Sequence, residues 1–241
     1  MLTGLAWLAL EVKYLEPARE FYGETLELSC REETERELRY EAGETTIVCR
    51  RPDGIPRGGL HTHFAFSIPH AEYDDWWERL SRTYDLEEFR FGSSRSLYCY
   101  DPDGNCVELG QTDVEGPGID GVFEVVLEVE DLERAETFYA ELGFETVDRG
   151  EERTRVRMNG PMALELWEPQ LGLADARGGV HVDLGFETAD PAGAAEAVAD
   201  RACSLESVGG EGGVDVEGEA DGDHRVVVRD PDGHHLTFLT P

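Results

Sequence analysis

The sequence predicts an α+β chain of four βαβββ modules arranged in two pairs, and three observations carry that prediction. Asp101-Pro102-Asp103-Gly104 returns half a chain later as Asp230-Pro231-Asp232-Gly233, each copy followed by a short strand, Cys106–Leu109 and His235–Phe238. A strand running into a helix with an aromatic pair also occurs twice: Leu8–Val12 before Phe21-Tyr22, and Val125–Val129 before Phe138-Tyr139. Gly58-Gly59-Leu60-His61-Thr62-His63 matches Gly178-Gly179-Val180-His181-Val182-Asp183. Internal repetition of this kind marks one supersecondary unit written several times.

Each element follows in order. Trp7–Val12 is a strand, Pro17–Glu27 a helix, and Leu28–Cys49 three strands punctuated by Gly43. Residues 60–111 repeat that order. They give strand His61–Ile68, helix His70–Thr83 with Trp76-Trp77 as packing residues, then strands Glu87–Phe91, Ser96–Tyr100 and Asn105–Leu109. Asp-Pro-Asp-Gly is a tight turn between the last two strands, Pro fixing φ and Gly supplying φ > 0. The second half reads the same way, with Gly209–Asp223 as a mobile loop or solvated linker. The acidic Thr112–Gly118 stretch, with its Gly116-Pro117-Gly118, divides the chain into domains 1–114 and 119–241, each expected to pair its own two modules.

Composition limits the function. Fifty-three acids against 21 bases give a net charge of −32, with Lys13 the single lysine. Such a surface repels nucleic-acid phosphates and anionic membranes, so the expected partner is a small molecule. The same imbalance is what multimolar salt, with its strong screening, tolerates. Met1–Leu10 lacks a basic leader, and five cysteines without a C-x-x-C spacing read as reduced thiols. A cytoplasmic protein, monomeric or homodimeric, is expected.

Leu-Glu-Val-Glu-Asp-Leu-Glu-Arg-Ala-Glu-Thr-Phe-Tyr (127–139), His63-Phe64-Ala65-Phe66 and Asp101-Pro102-Asp103-Gly104-Asn105-Cys106-Val107-Glu108-Leu109 resemble the vicinal oxygen chelate superfamily. That superfamily includes glyoxalase I, extradiol dioxygenases, fosfomycin-modifying enzymes and bleomycin-binding proteins. The resemblance implies curved mixed sheets forming open cups, with metal ligands drawn from the first and last strands of the modules.

Strand parity places Phe64, Phe66 and Ile68 on the packed face and His61, His63 and Ala65 on the other, which by resemblance lines the cup. Carried over, the ligand positions of the first half are Trp7, Val48, His63 and Glu108, and those of the second are Glu124, Glu165, Asp183 and Thr237. His63 and Glu108 are therefore the expected ligands of a divalent metal (Fe, Mn or Zn), with His61 joining through its His-x-His spacing. No organic cofactor is expected. Trp7, Glu11, Tyr98 and Cys106 are the expected substrate-pocket residues. The second half offers no imidazole at these positions, and its three carboxylates are expected to splay toward solvent.

The resemblance implies a metal-dependent small-molecule enzyme, most concretely a two-domain extradiol dioxygenase cleaving a catechol. A metal-free binder of the bleomycin-resistance type and a glyoxalase-like lyase are the alternatives.

Overall fold

Sixteen strands among the described residues form two eight-stranded sheets, and each sheet takes one module from either half of the chain. The computed structural model describes residues 1–52, 60–150, 154–169, 182–208 and 225–241, and at 60, 61, 207 and 208 the backbone only. The expected loop at Gly209–Asp223 lies outside the described residues.

The first module is β1 (Gly4–Glu11), helix α1 (Leu15–Ala18, continuing as a π-helix over Arg19–Thr25), β2 (Ser29–Glu33), β3 (Glu37–Ala42) and β4 (Thr45–Arg50). The second is β5 (Leu60–Pro69), α2 (Tyr73–Leu80), β6 (Glu87–Phe91), β7 (Ser94–Tyr100) and β8 (Cys106–Thr112). The third is β9 (Val122–Glu128), α3 (Leu132–Glu141), β10 (Glu145–Arg149), β11 (Arg155–Asn159) and β12 (Ala163–Trp167). The fourth is β13 (Val182–Glu187), α4 (Pro191–Val198), β14 (Ser204–Val208), β15 (Arg225–Arg229) and β16 (His235–Leu239).

Period-2 alternation places each apolar set on one face. Leu8, Leu10, Phe64, Phe66, Val125, Leu127, Leu184 and Phe186 are all fully buried in the core shared with the helices. Trp76 of α2 is buried in that core and Trp77 packs partly against it. Asp131 and Asp190 cap α3 and α4 by accepting from the Arg134 and Gly193 amides, at 3.0 and 2.9 Å, which satisfies otherwise unpaired first-turn donors.

The expected partnering of modules within each half is corrected by the strand order. The first module joins the fourth through antiparallel β1 and β13, and the second joins the third through antiparallel β5 and β9. The reason lies in residues 113–121, which do not act as a spacer. The Ser67 amide donates to Gly121 O (3.0 Å) and the Asp120 amide to Ser67 O (2.9 Å), so the connection lies along β5 and delivers β9 to its edge. The third module therefore folds back on the second.

What holds each sequence half together is the repeated turn. Asp101 is buried and accepts from the Asp103 amide (2.9 Å), the Asn105 amide (2.8 Å), Asn105 Nδ2 (2.6 Å) and the Tyr22 hydroxyl (2.8 Å). Asp230 likewise accepts from the Asp232 amide (3.0 Å), the His234 amide (2.8 Å) and the Tyr139 hydroxyl (2.8 Å). The second aspartate of each turn receives the chain just past the first strand of the preceding module: Lys13 N to Asp103 (2.9 Å) and Glu130 N to Asp232 (2.8 Å).

Both the motif and the second member of each aromatic pair thus serve one clamp. Asp101→Ala strands several buried donors and is expected to cost about 3 kcal/mol or more, with Tyr22→Phe costing about 1 kcal/mol. Urea unfolding measures both, and equal losses would refute the clamp.

Candidate metal centre

The four modules share one internal register. The last-strand residue opposes the first-strand residue two places beyond the ligand position: Ala9 with Val48, Ala65 with Glu108, Val126 with Glu165, and Gly185 with Thr237. Pairing the second and third modules therefore brings His63, Glu108, Glu124 and Glu165 into one cup. Pairing the first and fourth leaves Trp7, Val48, Asp183 and Thr237 in the other.

In the first of these cups, His63, Glu108 and Glu124 are all buried, and each offers one ligand atom within 4.8 Å of the others. His63 Nε2 lies 3.3 Å from Glu108 Oε2 and 3.4 Å from Glu124 Oε1. Neither contact has hydrogen-bond geometry, so His63 Nε2 and Glu108 Oε2 are buried polar atoms without a hydrogen-bond partner. A protonated ring and the two carboxylates offset one another as an ion pair, whereas with His63 neutral the carboxylates call for another cation. An imidazole nitrogen and two carboxylate oxygens converging this way are a donor set that fits a divalent cation. Burial alone would depress the His63 pKa, but the two facing carboxylates outweigh it and raise it to about 9.

The surroundings are built to hold these side chains. Arg157 binds the other oxygen of Glu124, leaving Oε1 toward His63. Glu165 is fully engaged: Arg157 Nη1 donates to it at 2.9 Å, Arg155 Nη1 at 3.1 Å and the Trp167 indole at 2.8 Å. Those bonds draw the fourth carboxylate away from the trio. The His63 ring meets Tyr98 and Trp167 edge to face, at 5.5 and 6.2 Å between centroids. Burial, together with Glu108 and Glu124, raises the Tyr98 pKa strongly and keeps its phenol protonated. These groups open onto a cavity of about 530 Å³.

Among the expected pocket residues, Tyr98 lines this cavity, whereas Trp7 and Glu11 belong to the other sheet. Cys106 is buried on β8 beyond the described cavity lining, and burial pushes its thiol up to about 12, leaving it unreactive. The side chain of His61 lies outside the described residues. The carboxylates expected to splay outward do not: Glu124, Glu165 and Asp183 are all buried. Arginines explain this, and strand parity could have found two of them. Arg155 and Arg157 alternate with buried Val156 and Met158, which puts them on the face of Glu165.

The second cup has no comparable trio among the described residues. Asp183 is held by Arg50 (2.8 Å) and by the Thr237 hydroxyl (3.1 Å). The Trp7 indole covers Gly185 so closely that a Cβ there would lie 2.2 Å from the ring, and Arg225 sits over the indole at 5.4 Å. Trp7 thus packs against this chain's own Gly185 and Arg225.

No protein family matches the sequence, and a search of curated proteins finds no match. Solved structures do match. A Bacillus subtilis protein provisionally named a dioxygenase aligns with a TM-score of 0.75 at 15% identity, over 99% of this chain and 85% of its own. Glyoxalase I from Zea mays aligns with a TM-score of 0.69 at 19% identity, over 98% and 92%. The chain therefore shares the fold of these structures, and the cup between its second and third modules carries a candidate metal site.

Proposed function

We propose that the chain is a divalent-metal-dependent enzyme acting on a small molecule with two adjacent oxygens, its active site the cup between the second and third modules. The observation that carries this reading is the convergence of three buried ligand residues, His63, Glu108 and Glu124, beside a cavity, with His63 Nε2 and Glu108 Oε2 outside hydrogen-bond geometry. A bound metal would supply Lewis acidity toward the substrate's oxygen pair. Arg157 fixes which oxygen of Glu124 faces the site. Tyr98, held neutral, is a hydrogen-bond donor for a substrate oxygen.

One imidazole with two carboxylates is a harder set than the two imidazoles and one carboxylate of Fe(II) oxygenases, and suits Mn(II) or Zn(II) at least as well as Fe(II). This favours redox-neutral proton transfer, a lyase- or isomerase-type reaction, over extradiol cleavage of a catechol. His61 is the residue that would restore the oxygenase set. We further place the protein in the cytoplasm of a cell with multimolar salt, as a monomer or homodimer. Among the described residues no helix is long and apolar enough to cross a membrane.

The test offers metal-loaded protein two substrates: the hemithioacetal of phenylglyoxal with a small neutral thiol, and 3-methylcatechol under an oxygen electrode. Loss of the hemithioacetal without oxygen uptake, abolished by chelator, is expected. Oxygen uptake with the catechol would establish ring cleavage instead. A metal-free binder of the bleomycin-resistance type draws on the same trio, with His63 protonated between the carboxylates. It predicts protein that carries no metal when purified without chelators and is inert toward both substrates.

A further inference from the structure

Resting on that active-site assignment, we infer that the substrate carries an uncharged aromatic body behind its oxygen pair, selected by Phe89, Phe91 and Phe123. The cavity has far more wall than three ligand side chains require, and Phe89, Phe91, Phe123 and Trp167 supply much of it. Phe89 and Phe91 alternate with charged neighbours on β6, the outermost strand of the sheet. They are 41% and 60% exposed in a chain of net charge −32. Large rings left open to water at a cavity mouth mark a surface that gains by being covered.

Rings also run without a break from that mouth to the ligands. Phe89 meets Tyr98 edge to face at 5.3 Å, Tyr98 meets His63 at 5.5 Å, and His63 meets Trp167 at 6.2 Å. On another wall the sequence has removed a side chain to admit a ring. A Cβ on Gly110 would stand 2.8 Å from Phe123 Cζ and 3.1 Å from Ser96 Oγ, so glycine there lets Phe123 lie against the strand. An aromatic guest finds faces and edges to pack on along this path.

Charge sets the other half of the preference. The two guanidinium groups that line the cavity are both committed: Arg157 to Glu124 and Glu165, and Arg155 to Glu165 and Asp148 (2.7 Å). Arg155 bonds through both Nη1 and Nη2 and Arg157 makes both of its bonds through Nη1, so an anionic tail would compete with carboxylates already seated on each group. With Glu108 and Glu124 assigned to the metal, Glu165 and Asp148 balance the two arginines. The tail that fits is neutral.

Hydroxamates separate the inference from the assignment beneath it, because their head supplies two adjacent oxygens to any divalent metal. Binding to Mn(II)-loaded protein is followed by quenching of indole fluorescence and by calorimetry. Relative to acetohydroxamate, 4-phenylbenzohydroxamate is expected to bind about tenfold or more tightly. A carboxylate at the far end of the same tail is expected to erase that gain. Phe91→Ala and Phe89→Ala should each reduce the ratio, and Phe91→Leu should retain part of it.

The metal-free chain gives a second arm, with 4-phenylphenol expected to bind ahead of 4-phenylbenzoate. Failure of acetohydroxamate to bind would count against the metal assignment alone. Equal binding of the acetyl and biphenyl heads, or a gain from the carboxylate tail, would overturn the inference itself. So would absence of 4-phenylphenol binding in the second arm.

Discussion

Replacing His63 with alanine is expected to weaken divalent-metal binding by two orders of magnitude or more, because it removes the one imidazole of the trio and leaves Glu108 and Glu124 facing each other. Wild-type binding should also depend on pH in a direction that the structure fixes. A metal takes neutral imidazole, whereas the metal-free site holds His63 protonated up to about 9. Below that pH each metal bound must displace about one proton, and the apparent affinity should fall about tenfold per unit of pH. Above about 9 the dependence on His63 should vanish. Calorimetry of Mn(II) or Zn(II) binding in two buffers of different ionisation enthalpy measures the released proton directly. Proton release near zero at pH 7, or metal binding retained by the alanine variant, would remove His63 from the ligand set.

Salt should have the other large effect. At −32 the folded chain repels itself, and many of its ion pairs are exposed, such as Arg82–Glu78 and Arg31–Glu41. Exposed pairs contribute little, about 0–1 kcal/mol each, and salt weakens them further. Repulsion among the excess acids outweighs them. A Debye length of about 3 Å at 1 M screens most of that repulsion. The melting temperature in about 2 M KCl is therefore expected to stand about 10 °C above that in about 0.1 M KCl. Partly buried pairs such as Arg50–Asp183 are screened less and should persist. An unchanged or lower midpoint at high salt would contradict adaptation to salt.

The modules were legible because a repeated turn, a repeated aromatic pair and period-2 alternation are local signals. Strand parity together with the family resemblance placed His63 and Glu108 in the cup, and the structure brings them to 3.3 Å. Their partners across the seam were not legible. β5 and β9 both present a buried apolar set on one face and polar groups on the other, and nothing in either pattern names the strand that will lie alongside. The repeat between the two halves and the acidic stretch between them favoured pairing within each half. The bonds from Ser67 to Asp120 and Gly121 decide otherwise, and they are backbone bonds that any sequence could make.

That one difference in pairing changes the composition of the site. Divided by halves, the ligand positions give two incomplete sets. Divided by sheets, they give His63, Glu108, Glu124 and Glu165 in one cup and no imidazole in the other. Glu124, named as a ligand position, was expected to splay to solvent for a second reason. In a chain with 53 acids a single glutamate carries little information, and it is Arg157, two strands away in β11, that allows it to be buried.

An anomalous-difference map from Mn(II)-soaked crystals of the full chain is the sharpest test of the metal centre, since it locates the ion without assuming its ligands. One strong peak per chain is expected, with Nε2 of His63 and carboxylate oxygens of Glu108 and Glu124 at about 2.0–2.3 Å, and none beside Trp7 and Asp183. A peak at Asp183, or an empty cup at His63 in crystals soaked well above any useful affinity, would show that the trio is not a metal site.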